Sequence, residues 1–254
     1  MIERRNLLKA ALTVGQPSIG VWCSLASALT TEVVAGSGAG WVLIDGEHSP
    51  NDLRTIMAQL QVLSGHECEG VVRSPSDDPN LIKQLMDVGA RNLMIPNVRT
   101  ADQAREIVSA ATYAPAGRRG FSVSHRANAF GRIADYHANA TRERLLVLQI
   151  ECETGVANAR AIAEVEGVDV LFVGPGDLST NMGAMGRPSD PAVQAAIASV
   201  LRDTTAAGKA SGILAPVKAD ADRYLADGFT MVAVGSDLGL LARGSDALVA
   251  SFQR

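Results

Sequence analysis

The sequence predicts an α/β fold, a single (β/α)8 TIM barrel. Three observations point there. Short β-forming apolar runs alternate with helical patterns from end to end, which calls for parallel strands joined by right-handed crossovers. Eight such units in a chain of 254 residues match the size of one barrel. No glycine-rich phosphate loop follows the first run, which continues as Trp22-Cys23-Ser24-Leu25. An open doubly wound sheet is therefore the second choice.

The strands are expected at Ser18–Trp22, Trp41–Asp45, Gly70–Arg73, Asn92–Pro96, Leu145–Glu151, Val168–Gly174, Ala210–Leu214 and Thr230–Gly235. Helices are expected over 27–38, 50–63, 79–89, 101–112, 155–165, 190–207, 217–227 and 237–252. Ser49-Pro50-Asn51-Asp52, Asp78-Pro79 and Asp190-Pro191 read as helix starts, with proline in the first turn behind an acid or amide cap. Gly89, Gly208 and Gly228 read as helix stops. Residues 1–17 form a lead-in, with a short amphipathic helix over 3–14. Its Arg4-Arg5 pair looks like an export signal. The apolar stretch Ala10–Val14 is too short for one, and no small-residue cleavage site follows. No linker, repeat or low-complexity segment divides residues 1–254, so one domain is expected.

Composition excludes several function classes. With 23 basic and 27 acidic side chains the net charge is −4, and aromatics are 4%. Neither a nucleic-acid surface nor an anionic-membrane surface is expected. No apolar run approaches the roughly 18 residues of a membrane span. Cys23, Cys68 and Cys152 show no pairing pattern, which fits a reducing, cytoplasmic setting.

Barrel chemistry sits at the C-terminal ends of the strands. Those ends read Asp45-Gly46-Glu47-His48, Arg73, Gln149-Ile150-Glu151, Gly174-Pro175-Gly176-Asp177 and Gly235-Ser236-Asp237. Packing does not explain charges gathered at one end of several apolar strands, because buried charge is costly unless paired or metal-bound. Alternation puts Leu145, Val147, Gln149 and Glu151 on one face, so Glu151 should enter the barrel mouth above Gln149. Asp177 follows the next strand and should neighbour it. Two such carboxylates suit a hard divalent cation, Mg2+ or Mn2+. The cysteines and histidines lack zinc spacing. Arg73 can stabilise an enolate, and His48 can move a proton. Lys209 precedes its strand, so a Schiff-base aldolase lacks its nucleophile. The long connection over 113–140 carries Ser122, Ser124 and Arg126, good carboxylate-binding chemistry.

These motifs carry a resemblance. Leu43–His48, Val72-Arg73, Leu81–Ala90, Gln149–Glu151 and Val173–Leu178 resemble the class II metal-dependent pyruvate aldolases of the 4-hydroxy-2-oxo-heptanedioate aldolase family. Arg119–Asn128, Phe130-Gly131, Ala134–Tyr136, Ser211–Val217 and Val232–Gly239 are similar to its 2-dehydro-3-deoxyglucarate aldolase branch. The resemblance implies retro-aldol cleavage of 2-dehydro-3-deoxy-D-glucarate or 5-dehydro-4-deoxy-D-glucarate to pyruvate and 2-hydroxy-3-oxopropanoate. It implies a metal on Glu151 and Asp177, with Co2+ as a further candidate beside Mg2+ and Mn2+. It gives Arg73 the keto oxygen and makes His48 the general base, oriented by Asp87. It places the Gly176 and Asp177 amides on the pyruvate carboxylate and Gln149 at the substrate. Gly176 departs from the serine or alanine common in relatives. Ser124 and Arg126 are expected to hold the aldehyde's carboxylate, in the same or a neighbouring subunit. The resemblance also implies a homo-oligomer, a hexamer with an exchanged C-terminal helix. Competing readings are a related aldolase taking succinate semialdehyde or lactaldehyde, a non-catalytic 2-oxo-acid-binding protein, and a lyase of coenzyme A thioesters.

Overall fold

The structure, a computed structural model, describes residues 5–253. Eight parallel strands close into a barrel in sequence order. They are β1 (Ser18–Cys23), β2 (Trp41–Asp45), β3 (Glu69–Arg73), β4 (Asn92–Ile95), β5 (Leu145–Ile150), β6 (Val170–Val173), β7 (Ala210–Leu214) and β8 (Met231–Ser236). The sequence-based fold is borne out, and strand ends move by one or two residues.

Helices surround the barrel: α1 (Leu7–Thr13), α2 (Ala28–Ala35), α3 (Leu53–Leu63), α4 (Pro79–Asp87), α5 (Ala101–Ala110), α6 (Tyr136–Glu143), α7 (Glu153–Ala157), α8 (Ala159–Ala163), α9 (Pro175–Asn181), α10 (Pro191–Ala206), α11 (Lys218–Asp227) and α12 (Asp237–Ala250). Several expectations change in detail: α6 takes up the end of the long connection, and α9 lies where no helix was expected. The helix expected over 155–165 is two short ones meeting at Asn158. Helix α3 starts three residues later than expected, because Asp52 caps it by accepting from the Arg54 and Thr55 amides. Pro50 lies ahead of it. Asp78 and Asp190 cap α4 and α10 as expected, each with proline in the first turn. The expected stops Gly89, Gly208 and Gly228 all hold φ between 71° and 113°.

Two apolar layers position the site. One lies between strands and helices, from Cys23 and Val42 round to Val232. The other fills the barrel, with Trp41, Leu43, Val71, Met94, Leu145, Val147, Val170, Phe172 and Met231. Helix α1 closes the N-terminal end of the barrel. Its Leu8 and Leu12 are 2% and 6% exposed and join the inner cluster. Burying each is worth about 1.5–3 kcal/mol. Polar contacts fix the plug: Lys9 Nζ lies 3.0 Å from Asp169, and the Asn6 side chain donates to Asn92. The helix expected over 3–14 spans Leu7–Thr13, with Asn6 as its cap, and residues 1–4 lie outside the described residues.

Candidate active site

With one end plugged, the polar groups collect at the other. Inside β5, Leu145 and Val147 belong to the inner cluster and Gln149 is 2% exposed. Glu151 follows at the rim, 7% exposed. The alternation read from sequence therefore holds. The Asn97 amide donates to Glu151 Oε1 at 2.7 Å, and Gln149 Nε2 lies 3.3 Å from Oε2. Among the described residues Gln149 Oε1 is buried without a hydrogen-bond partner. Burial, then the charges of Asp177 and Glu47, push the Glu151 carboxyl up to about 7. That repulsion ties Glu151, Asp177 and Glu47 to one small region.

Arg73 ends β3 and is 6% exposed. Its Nε and Nη2 donate to the two oxygens of Asp45 at 2.9 and 2.8 Å, a bidentate fork. Its Nη1 lies 2.8 Å from Glu47 Oε2, and its Cζ stands 5.4 Å from the Trp22 ring. Burial alone would raise the Asp45 carboxyl, but the bonds and charge of Arg73 outweigh it and hold the group low. Glu47 goes the other way: burial raises it against the pull of Arg73. Asp45 also accepts from the Glu47 and His48 amides at 3.0 and 3.3 Å. This shapes the turn that carries His48. The imidazole is largely exposed, with Nε2 4.0 Å from Glu47 Oε2.

Asp177 lies in the first turn of α9, next to the exposed Gly176. The first backbone N–H groups of a helix have no intrahelical partner. Those of Gly176 and Asp177 therefore need an acceptor from outside the helix. The arrangement offers oxygen donors for a hard cation, a fixed guanidinium for developing negative charge, and an exposed base.

Three expected site residues lie elsewhere. Asp87 is the last residue of α4 and so sits at the N-terminal end of the barrel, opposite His48. Its carboxylate pairs with Arg119 at 2.6 Å and faces His125 Nε2 at 3.9 Å. It does not orient His48 within this chain. Ser124 and Arg126 lie on the connection from α5 to β5, which must also return to the N-terminal end. Arg126 donates to the Val88 and Leu60 carbonyls at 2.7 and 3.2 Å, clamping the C-termini of α4 and α3. It therefore does not reach its own barrel's mouth. Ser124 is exposed, and its carbonyl accepts from Ser122 Oγ at 3.3 Å. In the other direction, sequence reading missed Glu47 and Asn97. The spacing of Glu47 two residues after Asp45 was the available signal for the first.

Comparison with known proteins gives the family. The family model of HpcH/HpaI aldolase/citrate lyase matches residues 18–244. The chain belongs to that family. This HpcH/HpaI protein is an aldolase-type carbon–carbon lyase by that membership. It is 47% identical to the 5-keto-4-deoxy-D-glucarate aldolase of Klebsiella pneumoniae subsp. pneumoniae over 249 residues, 98% of this chain and 97% of that relative. The same figures hold for the aldolase of that name from Escherichia coli O6:H1. A solved HpcH/HpaI aldolase/citrate lyase family protein from Burkholderia cenocepacia J2315 superposes with a TM-score of 0.95 at 36% identity, covering 98% of this chain and 100% of its own. Among the described residues no helix is long and apolar enough to cross a membrane.

Proposed function

We propose that this chain cleaves 5-keto-4-deoxy-D-glucarate, or its isomer 2-dehydro-3-deoxy-D-glucarate, to pyruvate and 2-hydroxy-3-oxopropanoate. The observation that carries the reading is Arg73 held at the same strand-end mouth as Glu151 and Asp177, in a chain so similar to aldolases of that name. Glu151 and Asp177 would hold a divalent cation, Mg2+ or Mn2+ and less readily Co2+. The raised Glu151 supports this, because crowded carboxylates gain from a cation between them. The cation supplies Lewis-acid polarisation of the 2-oxo acid.

The protein's own groups do the rest. Arg73 cannot drift, since Asp45 grips two of its nitrogens. It presents a fixed positive charge to the keto oxygen as the carbon–carbon bond breaks and enolate charge develops there. The Gly176 and Asp177 amides receive the pyruvate carboxylate. Gln149 borders the bound oxo acid and steadies Glu151. His48 takes the hydroxyl proton from the carbon that becomes the aldehyde, with the Glu47 carboxylate beside it. The proton that His48 took up then passes, directly or through a water, to the enolate carbon, which becomes the pyruvate methyl group.

A homo-oligomer, a hexamer by resemblance, completes the proposal. Helix α12 supports it, since Leu238, Leu240, Leu241, Leu248 and Val249 are each more than half exposed. Such an apolar surface suits exchange with a second copy. Three buried free cysteines suit a cytoplasmic setting. The placement of Arg126 removes one reason to prefer a dicarboxylic substrate. This favours, as the second reading, an aldolase releasing lactaldehyde, whose substrate carries a single carboxylate; succinate semialdehyde would again make the substrate dicarboxylic. A panel of 3-deoxy-2-oxo acids, read by lactate dehydrogenase for released pyruvate, separates the two. Chelator should abolish cleavage and Mg2+ or Mn2+ restore it. Full activity of verified metal-free protein would remove the cation from the mechanism.

A further inference from the structure

Strand β4 ends at Ile95, yet the chain continues toward the mouth in an unusual way. Asn97 holds φ of 54°, in the left-handed region. Non-glycine residues seldom sit there, and asparagine is among the few that do so readily. The neighbours show what the kink does. Ile95 is in register with Leu148, and the Val98 amide donates to the Gln149 carbonyl at 3.0 Å. Between them the Asn97 amide leaves the sheet and meets Glu151 Oε1 at 2.7 Å. The side chain is braced from outside, where Arg99 Nε donates to Asn97 Oδ1 at 3.0 Å. The other side of the same carboxylate is equally shaped. A Cβ on Gly174 would stand 2.7 Å from Glu151 Oε2, so only glycine leaves that oxygen its place.

We propose that Asn97 is a positioning residue. Its left-handed backbone aims one amide at Glu151 and fixes the rotamer in which that carboxylate takes a divalent cation. The inference rests on the metal role given to Glu151 above. Residue type at 97 matters through the backbone, so a substitution acts by what it does to φ. Asn97→Gly keeps the left-handed region open. Asn97→Val closes it, because a β-branched side chain is strongly disfavoured there. Partners that orient ligand residues typically change metal affinity by about 10–100-fold.

Mn2+ binding to chelator-stripped protein, followed by electron paramagnetic resonance, tests this without turnover. Asn97→Val should weaken Mn2+ at least about 10-fold, and Asn97→Gly should stay within a few-fold of the unmodified protein. Cleavage by Asn97→Val should need more Mn2+ for half-activation yet recover most of its kcat at saturation. A thermal melt shows whether each variant is folded, and Asn97→Ala replaces Asn97→Val if the latter is not. A folded Val or Ala variant that binds Mn2+ as tightly as the unmodified protein overturns the inference. Equal weakening in the Gly variant also overturns it, by making the side chain the cause. If unmodified protein binds no Mn2+, the metal role of Glu151 falls, and this inference falls with it.

Discussion

Glu151→Gln in metal-free protein should raise stability at neutral and alkaline pH, although it removes a proposed ligand. The carboxyl is pushed from an ordinary 4.5 to about 7 by burial and by the Asp177 and Glu47 charges. A carboxyl whose pKa rises on folding binds its proton more tightly in the native state. Its contribution to stability is fully present below 4.5 and lost as pH rises through about 7. The difference corresponds to about 3 kcal/mol at pH 8. Glutamine keeps the shape, accepts the Asn97 amide and carries no charge, so it avoids this loss. Urea unfolding of both proteins at several pH values from 5 to 8.5 measures it. The variant should gain on the unmodified protein as pH rises from 5 to about 7.5, by a few kcal/mol in all, and hold that lead unchanged above it. Parallel stability curves would show that Glu151 is not electrostatically strained and would undercut its place in a cation site. Saturating Mn2+ should reverse the order, since only the glutamate gains a partner.

Two further outcomes follow from the geometry. His48→Ala should lower cleavage by about 10²–10⁴-fold while pyruvate binding stays measurable; near-normal exchange of pyruvate methyl protons in deuterated water would assign the base elsewhere. Arg126→Ala should cost about 1–3 kcal/mol of unfolding free energy, chiefly through the Val88 carbonyl left without its donor, since Leu60 keeps the Ser64 hydroxyl, and unchanged stability with a selective loss on dicarboxylic substrates would return Arg126 to substrate binding.

The contrast between Glu151 and Arg126 shows what was legible in the sequence. Glu151 could be placed because a strand has period two, and the apolar Leu145 and Val147 mark its inward face. Asp45 and Arg73 follow from the same rule, since each ends an apolar strand, and Asp177 from its place in the turn just after one. Asp87 and Arg126 are attached to helices and helix-to-strand connections, where no such period links a residue to the mouth. Their positions were still constrained. In a barrel of parallel strands, a helix runs back from the mouth, so its last residue and the connection after it lie at the opposite end. Asp87 ends α4, and Arg126 follows α5. Topology alone therefore separates both from His48 in one chain. Gly89 shows that the placement of Arg126 is built in: with φ of 112° it lacks a Cβ that would stand 2.3 Å from the guanidinium. Asn97 was illegible for a different reason. What it contributes is a backbone amide, and its residue type records only that a left-handed turn is tolerated there. A function carried by the main chain leaves almost no trace in side-chain chemistry, so it becomes visible only once φ and the 2.7 Å contact are known.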